Sequence, residues 1–174
     1  MVIIVFGLPG SGKSYFASRL AQQLGALYVN SDQVRLQLIA DRNYSETEKL
    51  QVYDMMLSAM AIAISQQKDI VLDATFYKQS IRTMFEERAA ILQESILIIE
   101  VTAEEKIIRE RVSKPREFSE ADFDVYLKLK TIAEPLEQDH LVLHSTNHNI
   151  DEMLQDATKY IKSKKWPADR LIAY

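Results

Sequence analysis

Eight residues near the N-terminus, Gly-Leu-Pro-Gly-Ser-Gly-Lys-Ser at positions 7–14, constrain the fold of this chain more than any other segment. They match the pattern G-x-x-x-x-G-K-[ST] and directly follow the apolar run Val2 to Phe6, which is typical of a buried parallel strand. Apolar residues then recur at helical spacing from Phe16 to Leu24, and Gly25 supplies a helix C-cap. A strand, a glycine-rich loop and a helix in this order predict a phosphate-binding site.

The residue types of this loop suit nucleotide phosphates. Glycines let successive backbone N–H groups turn toward phosphate oxygens, and the start of the next helix adds partial positive charge. Lys13 is predicted to reach the β- and γ-phosphates, and the Ser14 hydroxyl to ligate Mg²⁺. The alternative is a glycine-rich turn that binds nothing. In that case the complete motif would have arisen by chance. The predicted ATP-binding residues of the loop are Gly7, Pro9, Gly10, Ser11, Gly12, Lys13 and Ser14.

The rest of the chain alternates short apolar strands with helices. Strands are predicted at 2–6, 27–29, 70–72, 96–101 and 141–143. Helix starts are predicted at Ser31, at Ser45 with Glu48, near Ser80, at Thr102 with Glu105, at Ser119 and near Ile150. This alternation is typical of a parallel sheet covered by helices on both faces. The predicted fold class is therefore α/β, with 1–174 forming a single domain.

Composition narrows the classes of function. The chain of 174 residues carries a net charge of −4, which counts weakly against long nucleic acid as its main partner. It contains no cysteine, so disulfides, thiolate metal sites and cysteine nucleophiles are excluded. Without a signal-peptide pattern or an apolar run of roughly 20 residues, we expect a cytoplasmic protein with no membrane partner and no obligate protein partner.

Asp73 directly follows the predicted third strand and is a candidate for holding Mg²⁺. Side chains at the carboxyl ends of parallel strands lie where α/β folds bind ligands. The alternative is a carboxylate that caps the next turn. Thr75, two residues further on, is expected either to orient the substrate beside the phosphates or to cap a helix.

Asp32 and Arg35 follow the predicted second strand and are candidates for the acceptor side of the site. At a spacing of three residues they share one face of a helix. A carboxylate near the γ-phosphate is able to take a proton from an attacking hydroxyl, and an arginine is able to hold a polar or anionic acceptor. The alternative is an ordinary surface helix start with solvated charges.

Four cations cluster around a proline in the segment predicted to be a lid, at about 109–120. They are Arg109, Arg111, Lys114 and Arg116, with Pro115 between the last two. Arginines on a mobile segment stabilise the charge of a transferring phosphoryl group, and a closing lid excludes water. The alternative is a solvated helix end, where cations are favoured by the helix dipole.

Taken together, these segments resemble the small P-loop kinases grouped around polynucleotide 5′-kinase, the zeta toxins and an AAA-33-like set of predicted kinases. The resemblance covers most of the chain. It depends on GLPGSGKS at 7–14, NSDQVR at 30–35, VLDATF at 71–76 with Arg82 beyond, RERVSKPR at 109–116 and SEADFDVYLKLKTIAEP at 119–135.

The resemblance implies a three-layer fold with a five-stranded parallel sheet in the order 2-3-1-4-5 and a helical lid. It assigns Asp32 as the proposed general base and Arg35 as a contact to the acceptor. Asp73 and Thr75 are expected beside the transferring phosphate. The lid arginines Arg111 and Arg116 are expected to clamp that phosphate. The nucleotide base is expected near the loop from His144 to Asn149, which includes Asn147.

The leading hypothesis is an ATP- and Mg²⁺-dependent kinase that phosphorylates a hydroxyl of a small-molecule or nucleotide-like acceptor. One alternative is a polynucleotide 5′-hydroxyl kinase, which the acidic net charge disfavours. A second, of a different class, is a P-loop nucleotide hydrolase or switch that transfers the phosphate to water.

Overall fold

The fold is built on one parallel sheet of five strands, seen in a computed structural model that describes residues 1–39, 45–114 and 121–165. The strands are β1 (Val2–Phe6), β2 (Leu27–Asn30), β3 (Ile70–Ala74), β4 (Ile96–Thr102) and β5 (Leu141–His144). Their order is β2-β3-β1-β4-β5, and every neighbouring pair is parallel. The α/β class and the strand order predicted from the sequence are both confirmed.

Helices cover both faces of this sheet. They are α1 (Lys13–Leu24), α2 (Ser31–Leu38), α3 (Glu46–Ser65), α4 (Gln79–Ile91), α5 (Glu105–Val112), α6 (Phe123–Ile132) and α7 (Ile150–Lys165). The central strand β1 is buried along its whole length. Because its side chains alternate between the two faces, Ile4 packs with α3 and α4, whereas Ile3 and Val5 pack with α1 and α7.

Two predicted helix ends are confirmed. Gly25 ends α1 in the left-handed region at a φ of 62°, where a residue without Cβ is favoured. Ser45 begins α3, and its side chain accepts a 3.2 Å hydrogen bond from the backbone N–H of Glu48.

Two predicted caps are wrong, for different reasons. Asn30 rather than Ser31 caps α2, since the Asn30 side chain accepts hydrogen bonds from the backbone N–H groups of Asp32 and Gln33, each at 3.0 Å. Thr102 does not cap α5, because it is the last residue of β4 and its hydroxyl lies 2.7 Å from a ring nitrogen of His144.

The carboxyl ends of β2, β3 and β1 meet at one edge of the sheet. Asn30 of β2 lies opposite Asp73 of β3 in the strand register, and Phe6 of β1 lies opposite Ala74. The phosphate-binding loop leaves β1 at this same edge. Strand register alone therefore places the loop, Asn30 and Asp73 side by side.

The predicted start of a helix at Ser119 lies outside the described residues, as do Pro115 and Arg116. The helix that follows in the described part, α6, is capped by Asp122, whose side chain accepts a 2.9 Å hydrogen bond from the N–H of Val125. Among the residues that the structure describes, no helix has the length and apolar character needed to cross a membrane.

Candidate active site

A cavity of about 700 Å³ opens at the carboxyl edge of the sheet. Its walls are the phosphate-binding loop with the start of α1, the start of α2, the end of α5, and the loop between β5 and α7. The structure thus brings together candidates that are far apart in sequence. Those lining the cavity are Gly10, Gly12, Lys13, Ser14, Asp32, Arg111, Lys114 and Asn147.

The loop after β1 folds tightly onto the start of α1. The Ser11 N–H donates to the carbonyl of Leu8 at 3.1 Å, and the Phe16 N–H donates to the carbonyl of Gly12 at 3.1 Å, the latter closing the first helical turn. Lys13 is the first residue of α1, and within the described chain its ammonium group has no hydrogen-bond or ion-pair partner. A strongly cationic group therefore faces the cavity beside a helix N-terminus, which is an anion-binding arrangement.

Asp73 lies fully buried behind this loop, with its two carboxylate oxygens in different surroundings. Oδ2 accepts hydrogen bonds from the Tyr28 hydroxyl at 2.7 Å and from the Asn30 amide at 2.5 Å. Oδ1 has no hydrogen-bond partner among the described groups. The Asn30 amide also lies 3.4 Å from the Ser14 hydroxyl. Asn30 therefore connects this carboxylate to the loop, while Asp73 itself does not line the cavity.

Tyr28 is held in its protonated form at this position. Burial is the main cause that raises the pKa of its phenol well above the ordinary value, and the negative charge of Asp73 raises it further. A phenol in this state is a permanent donor, so it can hold Oδ2 of Asp73 throughout the working pH range.

The residues present fit a Mg²⁺ ion. Mg²⁺ takes oxygen ligands and usually keeps several waters. A buried carboxylate oxygen without a partner is costly unless a cation, a water or a donor satisfies it. Oδ1 of Asp73 is such an oxygen, and the Ser14 hydroxyl lies on the cavity side of the same network. Ser14 would hold the ion and Asp73 its coordinated water.

On the acceptor side, Asp32 and Arg35 form an ion pair in the first turn of α2. Nη1 of Arg35 lies 3.0 Å from Oδ1 of Asp32. The Nε of Arg35 also lies 2.9 Å from Oε1 of Glu48, which belongs to α3 and is 4% exposed. Asp32 lines the cavity, whereas Arg35 lies behind it. The role of Arg35 as a contact to the acceptor stays a prediction.

Arg111, at the end of α5, joins the phosphate-binding loop to the loop after β5. Its guanidinium donates to the carbonyls of Gly10 and Ser11, each at 3.2 Å, to the carbonyl of Thr146 at 2.8 Å, and to the side-chain oxygen of Asn147 at 3.2 Å. Burial is the main cause that lowers its pKa. In this arrangement Arg111 supports the walls of the cavity, and its clamping of a transferred phosphate stays a prediction.

The other candidates of the lid and of β3 take different positions. Arg109 points away from the loop and stacks on the ring of Phe123, with its guanidinium carbon 3.7 Å from the ring centroid. Lys114 lines the cavity while pairing with Glu110 at 2.9 Å. Thr75 lies outside the cavity lining, in the bend after β3, and its role beside the phosphate stays a prediction.

Three residues of this region have roles in the structure that the sequence does not assign to them. Tyr28 belongs to no sequence motif. It lies two residues before Asn30, so both side chains are on the same face of β2, and this spacing is the only sequence signal for a shared contact with Asp73. Glu48 matches half of a capping box, although its carboxylate reaches Arg35. Arg82 is 2% exposed and structural, since it donates to the carbonyls of Phe76 and Pro135 at 2.8 and 2.9 Å.

The fold and the site define a P-loop nucleotide-binding protein. The family model described as "AAA domain" (AAA_33) matches residues 2–136, which is most of the chain. The protein therefore belongs to the AAA_33 family.

Solved structures with the same fold include several small kinases. A sugar kinase from Janibacter sp. HTCC2649 is 15% identical with a TM-score of 0.71, over 92% of this chain and 94% of its own. The Mycobacterium tuberculosis APS kinase CysC, in complex with AMPPNP and APS, is 18% identical with a TM-score of 0.72, over 93% and 97%. A gluconokinase from Sinorhizobium meliloti 1021 is 16% identical with a TM-score of 0.69, over 90% and 88%. No curated protein matches the sequence significantly.

Proposed function

We propose that this protein is an ATP-dependent kinase that transfers the γ-phosphate to a hydroxyl group of a small-molecule acceptor. The observation that carries the proposal is the shared cavity of Lys13 and Asp32. A lysine at a phosphate-binding loop and a carboxylate across the same space are the two groups that a phosphoryl transfer to a hydroxyl needs.

The nucleotide is expected on the side of the cavity formed by the phosphate-binding loop. There the backbone N–H groups and Lys13 would bind the phosphates, and Ser14 with Asp73 would hold Mg²⁺, which would neutralise charge on the phosphates. The base would lie near Thr146 and Asn147, which line the same end of the cavity.

The acceptor is expected on the side formed by α2. Asp32 is 28% exposed, which leaves its carboxylate accessible to a hydroxyl while its position is fixed by Arg35. In the transfer, Asp32 would accept the proton of the hydroxyl as its oxygen attacks the γ-phosphorus and ADP leaves. The solved structures named as a sugar kinase, an APS kinase and a gluconokinase support this reaction class.

A panel of hydroxyl-bearing acceptors with γ-labelled ATP and Mg²⁺ tests the proposal. The panel includes sugars, amino sugars, nucleosides and 5′-hydroxyl oligonucleotides. We expect label on at least one small-molecule acceptor. Label that appears only as inorganic phosphate would instead establish a nucleotide hydrolase, and label confined to oligonucleotides would establish a polynucleotide kinase.

Two variants locate the chemistry within the cavity. Asp32→Asn should keep nucleotide binding and lose transfer by about 10²- to 10⁴-fold, the usual range for a general base. Lys13→Ala should weaken nucleotide binding and transfer together. The matched control is Asp156→Asn, which removes an exposed carboxylate of α7 that pairs with Lys159 away from the cavity. Near-normal transfer by Asp32→Asn would remove Asp32 as the base.

A further inference from the structure

We infer that Tyr15 is the platform on which the base of the nucleotide stacks, and that the enzyme therefore prefers purine to pyrimidine nucleotides. This inference rests on the proposed kinase function and adds to it a base-binding residue outside the loop after β5. Tyr15 lies in the first turn of α1, directly after Lys13 and Ser14 of the phosphate-binding loop. The pattern of that loop requires no aromatic residue at this position.

The ring of Tyr15 is exposed at the cavity and supports no other part of the described structure. Tyr15 is 56% exposed and lines the cavity. Within the described residues its hydroxyl makes no hydrogen bond. The next residue, Phe16, is fully buried in the core beneath α1, so this turn of the helix is firmly anchored. An exposed ring on a fixed support is able to gain contact energy from a planar ligand.

Arg19 covers one face of this ring. Its guanidinium carbon lies 4.8 Å from the ring centroid of Tyr15. The two residues are four apart, so they are neighbours on the surface of α1. This cation–π contact restricts the ring before any ligand arrives, which lowers the cost of ordering it on binding. A planar group can then stack on the opposite face.

The start of α1 lies beside the loop that leads into α7. A Cβ at Gly12, the N-cap of α1, would lie 2.7 Å from the hydroxyl oxygen of Ser145. Near the other end of α1, Gln23 donates a 3.0 Å hydrogen bond to the hydroxyl of Thr158 in α7. The two helices therefore run side by side in the same direction. Their first turns meet at one end of the cavity, where Ile150 of α7 forms part of the lining.

Tyr15 belongs to a row of side chains that leads to α7. Tyr15, Arg19 and Gln23 are each four residues apart and so follow one ridge of the helix, at whose far end Gln23 bonds to α7. Long side chains of a helix lean toward its N-terminus, so the ring of Tyr15 leans toward the mouth of the cavity. Thr146 and Asn147 line the cavity beside the start of α7. The ring is thus next to the part of the cavity proposed for the base.

Stacking selects a base by the area of its rings. A purine has two fused rings and covers more of an aromatic side chain than a pyrimidine does, and contact energy grows with the apolar area covered. The contact does not read the hydrogen-bonding groups at the edge of the base, because every base has an aromatic face. The ligand class that fits Tyr15 is therefore a purine nucleotide.

The test compares three probes by calorimetric titration in the presence of Mg²⁺. They are a non-hydrolysable ATP analogue, its CTP counterpart, and inorganic tripolyphosphate, which carries phosphates but no base. Wild type should bind the ATP analogue more tightly than the CTP analogue. Tyr15→Ala should bind the ATP analogue about 10- to 100-fold more weakly, lose most of the purine preference, and keep wild-type affinity for tripolyphosphate.

Two further variants separate the ring from its bulk. Tyr15→Phe keeps the aromatic face and should retain the purine preference. Tyr15→Leu keeps apolar bulk without a planar face and should lose the preference, so it tests the inference even if Tyr15→Ala does not fold. The matched control is Gln22→Ala, since Gln22 is exposed on the same helix and does not line the cavity. It should bind all three probes as wild type does.

Unchanged affinity of Tyr15→Ala for the ATP analogue would overturn the inference. An equal loss for tripolyphosphate would also overturn it, because Tyr15 would then support the phosphate-binding loop rather than the base. A raised acceptor KM with unchanged nucleotide affinity would assign the ring to the acceptor instead. All three results leave the kinase proposal intact. Normal nucleotide binding by wild type without transfer to any acceptor would defeat the kinase proposal and leave base stacking on Tyr15 in place.

Discussion

The hydroxyl of Tyr28 donates a 2.7 Å hydrogen bond to Oδ2 of Asp73, the same oxygen that accepts from Asn30. Both donors converge on one oxygen, and Oδ1 is left without a partner in the described residues. Strand β2, which carries both donors, therefore holds the carboxylate of β3 in one orientation. If Asp73 holds the hydrated metal, the hydrogen bonds from Tyr28 and Asn30 set the direction of Oδ1 of Asp73.

Tyr28→Phe is expected to weaken the response to Mg²⁺. The substitution removes one of the two donors to Oδ2 and keeps the ring, and loss of such a supporting hydrogen bond typically lowers metal affinity about 10-fold or more. The measurement is calorimetric binding of a non-hydrolysable ATP analogue with and without Mg²⁺. Binding without Mg²⁺ should not change.

The control for this experiment is Tyr160→Phe. It removes a phenol hydroxyl on α7, and Tyr160 does not line the cavity. An equal loss of affinity with and without Mg²⁺ in Tyr28→Phe would show that Tyr28 supports the loop rather than the metal site.

Arg111→Ala is expected to reduce nucleotide affinity. Arg111 makes four hydrogen bonds that tie the phosphate-binding loop to the loop after β5, so its loss should let these two walls separate. A hydrogen bond to a charged group contributes about 1.5–3 kcal/mol, which corresponds to roughly 10- to 100-fold in affinity. Fluorescence titration with a nucleotide analogue measures the change.

Arg109→Ala is the matched control, because Arg109 lies on the same helix and stacks on Phe123. It should keep nucleotide affinity. If Arg111→Ala bound nucleotide normally and lost only the rate of transfer, Arg111 would be a clamp on the transferred phosphate, as the resemblance to small P-loop kinases implies.

The sheet and the phosphate-binding loop are predictable because their signals are local. Each strand is a short apolar run, and the loop pattern spans eight consecutive residues between a strand and a helix. The 2-3-1-4-5 order comes from the resemblance to a family rather than from periodicity, and the structure confirms it.

The contacts within the site are less predictable, since they join residues that spacing does not relate. Ser31 and Asn30 are both able to cap a helix, and only the backbone direction at the end of β2 selects Asn30. Glu48 matches a capping box, yet its carboxylate forms an ion pair with Arg35, because α2 and α3 pack together. Sequence spacing cannot encode such a contact between separate helices.

Arg82→Met is expected to destabilise the fold. The guanidinium is 2% exposed and links the bend after β3 to the segment after α6 through the carbonyls of Phe76 and Pro135. Loss of these two charge-assisted hydrogen bonds leaves the carbonyl of the buried Phe76 unsatisfied, so we expect a loss of roughly 2–4 kcal/mol in the free energy of unfolding. Urea denaturation measures it.

The control is Arg88→Met, an exposed arginine in the last turn of α4, which should change the stability by less than about 0.5 kcal/mol. Equal stability of the two variants would show that the two carbonyls find other donors, and that Arg82 is not needed to hold these segments together.

A comparison of Gly12→Ala with Gly25→Ala distinguishes the effect of backbone strain from the effect of crowding in the cavity. Gly12 has a φ of +91°, and a Cβ there would lie 2.7 Å from the Ser145 hydroxyl oxygen and 3.0 Å from Nη1 of Arg111. Gly25 also has a positive φ, of +62°, but nothing lies within 4 Å of its Cβ position. Both substitutions should cost roughly 1–2 kcal/mol in backbone conformation. Only Gly12→Ala should also push the loop after β5 away and abolish nucleotide binding, which calorimetry would detect. If Gly25→Ala lost nucleotide binding as well, the effect would come from α1 as a whole, and close packing of Gly12 against Ser145 and Arg111 would not be what shapes the site.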